Sequence, residues 1–401
     1  MRAAFIQSFL FVSLLVSSGG AALAAETAAP VSHLDDPLAR SGTARFYNMD
    51  YDGAVRDLEK ALERHADDPF AVNHLAMAVL IRELYRMGAL NSGDYANDSF
   101  IGKPSRPASA EAKHKVSGLL DRARQLEEKR LEANGHDIDA LYARGATRAL
   151  AATYTGLIER AWISALRSAV GSRKDHERVL ELDPDYADAK LVVGTHDYVV
   201  GSLPWAVKAA VAVVGFSGNR ERGISELCVA AKSGRETPVD AKILLALFLR
   251  REHRYDEALN IVRELTQLYP QNLLMAIEEG NVLRVAGRTG DSAAAYRKVW
   301  ESGRKGQYPH GHLEVAAIGL GDLLRSQKDY SGAALAYSLV DEITNPDPDL
   351  RQQADLAAGE VYDLLHQRPQ AVKKYEAVVA LDGGNDRASV ARDRLKEPYR
   401  E

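Results

Sequence analysis

The sequence predicts an all-α fold, with helical hairpins stacked side by side into an α-solenoid, a right-handed superhelix. Three observations carry this expectation. Ala, Leu, Glu and Arg are plentiful and alternating β-branched runs are scarce, so propensity favours helix along most of the 401 residues. A Gly is followed twelve positions later by a small residue in four pairs: Gly42 with Ala54, Gly280 with Ser292, Gly321 with Ala333, and Gly359 with Ala371. The text around the second member also repeats, as YDGAVRDLEKAL from Tyr51, YDEALNIVREL from Tyr255 and YSGAALAYSLV from Tyr330.

From the N-terminus, the first element is a positive head at Arg2, an apolar stretch and the small-residue end Ala22-Leu23-Ala24. This reads as a cleavable signal peptide over 1–24, with no cysteine near its end to take a lipid. The expectation is an exported protein, placed in the periplasm, whose mature chain starts near Ala25 with a flexible leader over 25–37. Hairpins follow over 38–88. A Gly/Ser/Asn/Pro-rich stretch over 89–110 reads as a long loop. Residues 111–183 hold a long charged helix and then a run from Ile138 too long for one hairpin helix, which reads as an enlarged repeat. A central element spans 184–254, and further repeats span 255–395.

In those repeats, apolar or aromatic residues return four and seven positions after the small residue. The pairs are Leu58 and Ala61, Val262 and Leu265, Tyr296 and Val299, Tyr337 and Val340, and Tyr375 and Val378. That spacing makes one helix face. Two weaker pairs, Ala246 with Ala258 and Val211 with Gly223, extend the series, and the steps from Gly223 onward are 35, 34, 41 and 38 residues. A period near 34 with a small-residue pair and Tyr-x-x-Ala resembles the tetratricopeptide repeat. Each hairpin crosses its two helices at small side chains, and neighbours stack because one hairpin cannot bury its own apolar face.

The stretch LELDPDYADAKLVVGTHDYVVGSLPWAVKAAVAVVGFSGNRERGISELCVAAKSG resembles exported bacterial tetratricopeptide proteins that carry an L-P…GFSG-D/N-R-E-x-G-L element. In that element alone it is similar to the eukaryotic inclusion body clearance family of the mitochondrial outer membrane. Asn219 stands where such proteins have Asp. The resemblance implies helical hairpins and a binding role, and it transfers no catalytic residue.

Within it, VVGFSGNRERGISEL (Val213 to Leu227) poses the sharpest question. It lacks the second Gly of a nucleophile elbow and the Gly-Lys-Ser/Thr of a phosphate loop. Arg220 and Arg222 stand at the start of a helix, whose positive end they do not suit. They either pair with carboxylates inside the scaffold, making this a structural corner, or hold an anion or acidic partner. His196, Asp197 and Tyr198 read as packed side chains. His310, His312 and Glu314 lie in a turn-rich loop without HExxH or a cysteine pair, so no metal, cofactor or catalytic site is expected. Cys228 reads as buried beside Ile224 and Leu227.

A net charge of −5 argues against a nucleic-acid partner, which requires a basic stripe. The apolar segment 203–216 reads as a buried helix; the alternative is a protein docked on a membrane surface through Trp205 and Phe216. The favoured function is non-catalytic binding of a protein or peptide in a concave groove lined by the first helix of each hairpin. Its candidate residues are Asn73, Arg250, Asn281 and Arg325.

Overall fold

A computed structural model describes residues 35–90, 106–205, 208 and 217–401. The expected signal peptide, most of the leader and of the 89–110 loop, and the centre of the 203–216 segment, with Val211, Gly215 and Phe216, lie outside the described residues. Among the described residues there are seventeen α-helices and no strand, so the all-α solenoid is the fold.

The helices are α1 (Pro37–Tyr47), α2 (Tyr51–Arg64), α3 (Pro69–Arg86), α4 (Ala110–Ala133), α5 (Ile138–Thr153), α6 (Trp162–Leu182), α7 (Ala189–Gly201), α8 (Arg220–Ser233), α9 (Pro238–Arg251) and α10 (Tyr255–Leu268). They continue with α11 (Leu273–Val285), α12 (Thr289–Arg304), α13 (Glu314–Ser326), α14 (Tyr330–Ser338), α15 (Pro348–Leu364), α16 (Arg368–Leu381) and α17 (Asp386–Lys396). The chain divides into two compact units, Met1–Ile261 and Val262–Glu401, with the boundary inside α10.

Local chemistry fixes the helix starts. Asp36, Asp68 and Asp347 each cap a backbone N–H and are followed by Pro at the first helical position. Ser109, Asp137, Asn219, Asn272, Asp329 and Asn385 cap six more. The hairpin turns share one conformation. Met49, Arg160, His253, Gly287, Lys328 and His366 all take positive φ, from 57° to 74°, two residues before the second helix begins. Only Gly287 takes it without steric cost, so the packed helices on either side must hold the other five there.

Each first helix packs on the second helix of its own hairpin: α1 on α2, α3 on α4, α5 on α6, α7 on α8, and in the second unit α11 on α12, α13 on α14 and α15 on α16. The small-residue pairs are the crossing points. Their second members Ala54, Ala333 and Ala371 are buried completely, on the inward faces of α2, α14 and α16. A side chain larger than alanine at any of the three would press on the facing first helix. A Cβ on Gly42 would lie 2.7 Å from Leu58 Cγ and 3.3 Å from the Ala54 carbonyl oxygen. A Cβ on Gly321 or Gly359 would lie 2.4 Å or 2.5 Å from the ring of Tyr337 or Tyr375, four residues after Ala333 or Ala371. Ser292 donates to the Gly280 carbonyl at 2.8 Å, and the Tyr296 ring lies on Gly280.

Beyond α2, the first unit hides the same crossing behind insertions. Ser172 donates to the Gly145 carbonyl at 2.7 Å, and the His176 ring takes the tyrosine's place on Gly145. The separation is 27 residues rather than twelve, because α5 runs on through a π-helical turn, Tyr154–Ile158. Gly223 crosses Gly194, 29 residues back; Val211, the partner that the spacing suggested, lies outside the described residues.

Candidate functional site

The GFSGNRERG corner is described from Ser217 onward. A Cβ on Gly218 would meet the Asp197 carbonyl at 2.7 Å, so this glycine lets the chain lie on the end of α7. Asn219 caps α8 by accepting from the Arg222 N–H at 2.9 Å. Arg220 donates to both oxygens of Glu252 at 3.1 Å, and Glu252 also accepts from the Tyr198 hydroxyl at 2.9 Å. Arg222 makes a two-toothed contact with Asp197, through Nε on Oδ2 and through Nη2 on Oδ1 at 2.9 Å. Both carboxylates belong to the scaffold. Burial pushes the Asp197 carboxyl up, but the nearby His196 ring and the hydrogen bonds from Arg222 outweigh it and hold its pKa below the ordinary aspartate value. Arg222→Gln removes the charge facing this buried acid and is expected to lower stability by about 2 kcal/mol. Thermal melts with and without phosphate check it. An unchanged midpoint without phosphate, with a phosphate-dependent rise in the wild type alone, would make the pair a ligand site instead.

Most side chains along the first helices of the first unit are buried, and a hollow of about 910 Å³ opens at the N-terminal ends of these helices, beside Arg64, Phe70, Arg130, Asp139, Asp188 and Glu236. Fourteen of the 18 residues of α3 and twelve of the 16 of α5 are buried. Tyr47 of α1 donates to Asp240 of α9 at 2.9 Å, and His74 of α3 bonds Glu236, just before α9, at 3.0 Å. The unit therefore closes on itself, with α1 and α3 tied to the start of α9. Asn73 is 2% exposed, donates to the Ala143 carbonyl at 3.1 Å and accepts from Thr147 at 2.8 Å. Arg250 is 5% exposed. Both groove candidates of this unit are core residues, and Asn73 is bonded to the neighbouring first helix, α5.

The second unit differs. Its first helices carry a stacked polar row in one register: Asn281 and Arg284 on α11, Asp322 and Arg325 on α13, Glu360 and Asp363 on α15, each one and four residues past the crossing glycine. Crossing tyrosines bind the row from behind. Tyr296, Tyr337 and Tyr375 donate to Asn281, Asp322 and Asp363 at 2.7 Å, 2.7 Å and 2.8 Å. Asn281 also donates to Glu278 at 2.9 Å, and Arg325 donates to Glu360 at 2.8 Å. Arg284 and Asp322 are exposed, and a hollow of about 310 Å³ opens beside Asp322, Arg325, Ser326, Lys328 and Glu401. Two of the sequence candidates, Asn281 and Arg325, thus come together on one surface with Arg284, Asp322, Glu360 and Asp363. The sequence reading missed these four, although their fixed offsets from the glycines were readable.

Other expectations sort out as follows. Cys228 is exposed, not buried. The inward stripe of α8 runs through Gly223, Ile224, Leu227 and Ala230, and Cys228 turns away beyond its edge. His196, Asp197 and Tyr198 are buried, and the Tyr198 and Phe248 rings stack 3.8 Å apart. Glu314 accepts from the Asp347 N–H at 2.7 Å. Among the described residues, no group of three His, Cys, Asp or Glu side chains is placed to hold a metal ion. Trp205 is 84% exposed and Leu203 is buried, and no described helix is long and apolar enough to cross a membrane.

No protein-family model and no curated protein matches this sequence. Solved structures similar to it include Pseudomonas aeruginosa PilF, at 17% identity, covering 65% of this chain and 100% of that one, with a TM-score of 0.36. YrrB, described as a TPR protein with an unusual peptide-binding site, matches at 15% identity over 67% of this chain and 97% of its own, with a TM-score of 0.31. Yeast Tom70 matches at 13% identity over 90% and 87%, with a TM-score of 0.38. The assignment of tetratricopeptide-like hairpins rests on the helix pairs, crossings and turns of this chain.

Proposed function

We propose that this protein is an exported, non-catalytic tetratricopeptide scaffold of the periplasm that binds a protein segment along the first helices of its second unit. The observation that carries the reading is the polar row over α11, α13 and α15. Its side chains set the donors Arg284 and Arg325 beside the acceptors Asp322, Glu360 and Asp363 at a fixed register, and stacked first helices present such rows to extended peptides. Capture from periplasmic extract tests the reading, with the wild type compared against Arg284→Glu with Asp322→Arg. A partner recovered at least tenfold less on the variant, at an unchanged melting midpoint, supports the surface. Equal recovery on both overturns it.

Export rests on the Ala22-Leu23-Ala24 end of the N-terminal segment. The mature protein is expected to begin at or near Ala25 and to fractionate as a soluble protein. N-terminal sequencing that returns Met1 on a membrane-bound product overturns this.

A further inference from the structure

The polar row is already contacted by a peptide, and that peptide is the chain's own segment Glu397–Glu401, EPYRE. After α17, Glu397 takes extended backbone at φ −129° and ψ 129°, as the residue before a proline does. The segment then turns onto the ends of α13 and α15. The Tyr399 N–H donates to Asp363 Oδ2 at 2.8 Å. The guanidinium groups of Arg325 and Arg394 lie over the Tyr399 ring, 5.1 Å and 4.8 Å from its centroid. Glu401 accepts from the Tyr330 hydroxyl at 2.9 Å, with Arg325 Nε at 4.0 Å.

Asp363 is built to receive it. The residue is buried and accepts from Arg368 at 3.0 Å and 3.1 Å and from the Tyr375 hydroxyl at 2.8 Å. Arg368 in turn donates to the Arg394 and Leu395 carbonyls at 2.7 Å and 2.8 Å, which fixes the point where the segment leaves α17. The acceptor, the cations and the departure point are therefore held by the scaffold before Tyr399 arrives.

We propose that this surface is a docking site for an extended segment of the form Tyr-x-Glu, and that residues 397–401 are its resident occupant, which a partner must displace. The inference rests on the reading of the polar row as the partner surface and names the partner's chemistry there. An aromatic face answers the two guanidinium groups, a backbone N–H answers Asp363, and an acidic side chain two residues on answers Tyr330 and Arg325. A resident segment joined directly to α17 acts at an effective concentration on the order of millimolar. It therefore masks the site against any weak ligand supplied from outside.

The test uses a fluorescein-labelled peptide of residues 394–401, RLKEPYRE, and fluorescence anisotropy. The chain lacking 397–401 is expected to bind it, and the full chain to bind at least tenfold more weakly. Full-length Tyr399→Ala, which loosens the segment without shortening the chain, is expected to regain binding. A peptide with Ala for Tyr is expected to lose at least tenfold on the shortened chain. Failure of the peptide to bind either altered chain, with melting midpoints near that of the wild type, overturns the proposal, as does equal binding by full and shortened chains. Neither result touches the capture experiment, where loss of a partner through Arg284 and Asp322 stands on its own.

Discussion

Gly223→Ala is expected to destabilise the first unit by at least about 3 kcal/mol, more than a single added methyl usually costs. A Cβ there would lie 2.5 Å from the Gly194 carbonyl oxygen, 2.5 Å from the Tyr198 backbone nitrogen and 2.8 Å from the Tyr198 Cβ. Backbone atoms cannot swing aside as a flexible side-chain end does, so α7 and α8 must move apart. That movement loosens packing along both helices and disturbs the Arg222–Asp197 pair. Gly321→Leu drives a side chain into the Tyr337 ring and is expected to cost about 1–3 kcal/mol. The internal control is Gly118→Ala in α4, where an added Cβ meets nothing within 4 Å. That change is expected to stabilise by about 0.5–1 kcal/mol, through backbone entropy alone. Urea denaturation of the three variants gives the comparison. Similar midpoints for Gly223→Ala and Gly118→Ala would mean that α7 and α8 do not cross at these residues.

Glu127→Gln is expected to stabilise the protein by an amount that grows from about pH 4.5 to about pH 7 and then stays constant. Glu127 is 0% exposed and burial pushes its carboxyl up to about 7. One of its oxygens makes a short contact with Thr147 Oγ1, and the other has no hydrogen-bond partner. Thr147 has a single hydroxyl proton, and Asn73 Oδ1, 2.8 Å away, also needs it. Both contacts are satisfied when a protonated Glu127 donates to Thr147 and Thr147 donates to Asn73.

The sign follows from the raised pKa. Below the unfolded value of about 4.5 both states carry the proton and Glu127 contributes nothing to the pH dependence. Between there and about 7 the native state keeps a proton that the unfolded chain has lost, so stability falls as pH rises. Above that range the cost levels off at about 3 kcal/mol, since stability falls by about 1.4 kcal/mol for each pH unit between the two values. Gln mimics the protonated acid, so the variant and the wild type should coincide near pH 4 and differ by about 2–3 kcal/mol near pH 8. Denaturation midpoints across that range decide it. A difference independent of pH would mean that folding leaves the Glu127 pKa unchanged.

The repeats of the second unit were legible because their text is local. Gly280 with Ser292, Gly321 with Ala333 and Gly359 with Ala371 sit in hairpins of ordinary length, so a crossing in space is also a fixed interval in sequence. The same holds for Gly42 with Ala54 at the start of the first unit. The rest of that unit broke the interval. Gly145 with Ser172 and Gly194 with Gly223 make the same kind of crossing across inserted chain, and the surviving clue was small: Ser172 is followed four residues on by His176, as Ser292 is by Tyr296. The helix α4, which read as part of an enlarged repeat, packs on α3 and completes the hairpin begun before the long loop.

By itself, then, the sequence determined the helical class, the hairpin period, the crossing residues of the second unit, and the caps and prolines that start helices. All are set by interactions within about one hairpin, where spacing along the chain stands in for distance. Only the tertiary structure decided which polar residues are buried. Asn73 and Arg325 both lie on first helices, and nothing in the local text separates buried from exposed. Asn73 disappears into the core because the bonds Tyr47–Asp240 and His74–Glu236 close the first unit across 193 and 162 residues. Arg325 stays at the surface, beneath Tyr399. Burial depends on what arrives from far along the chain, and no local pattern encodes that arrival.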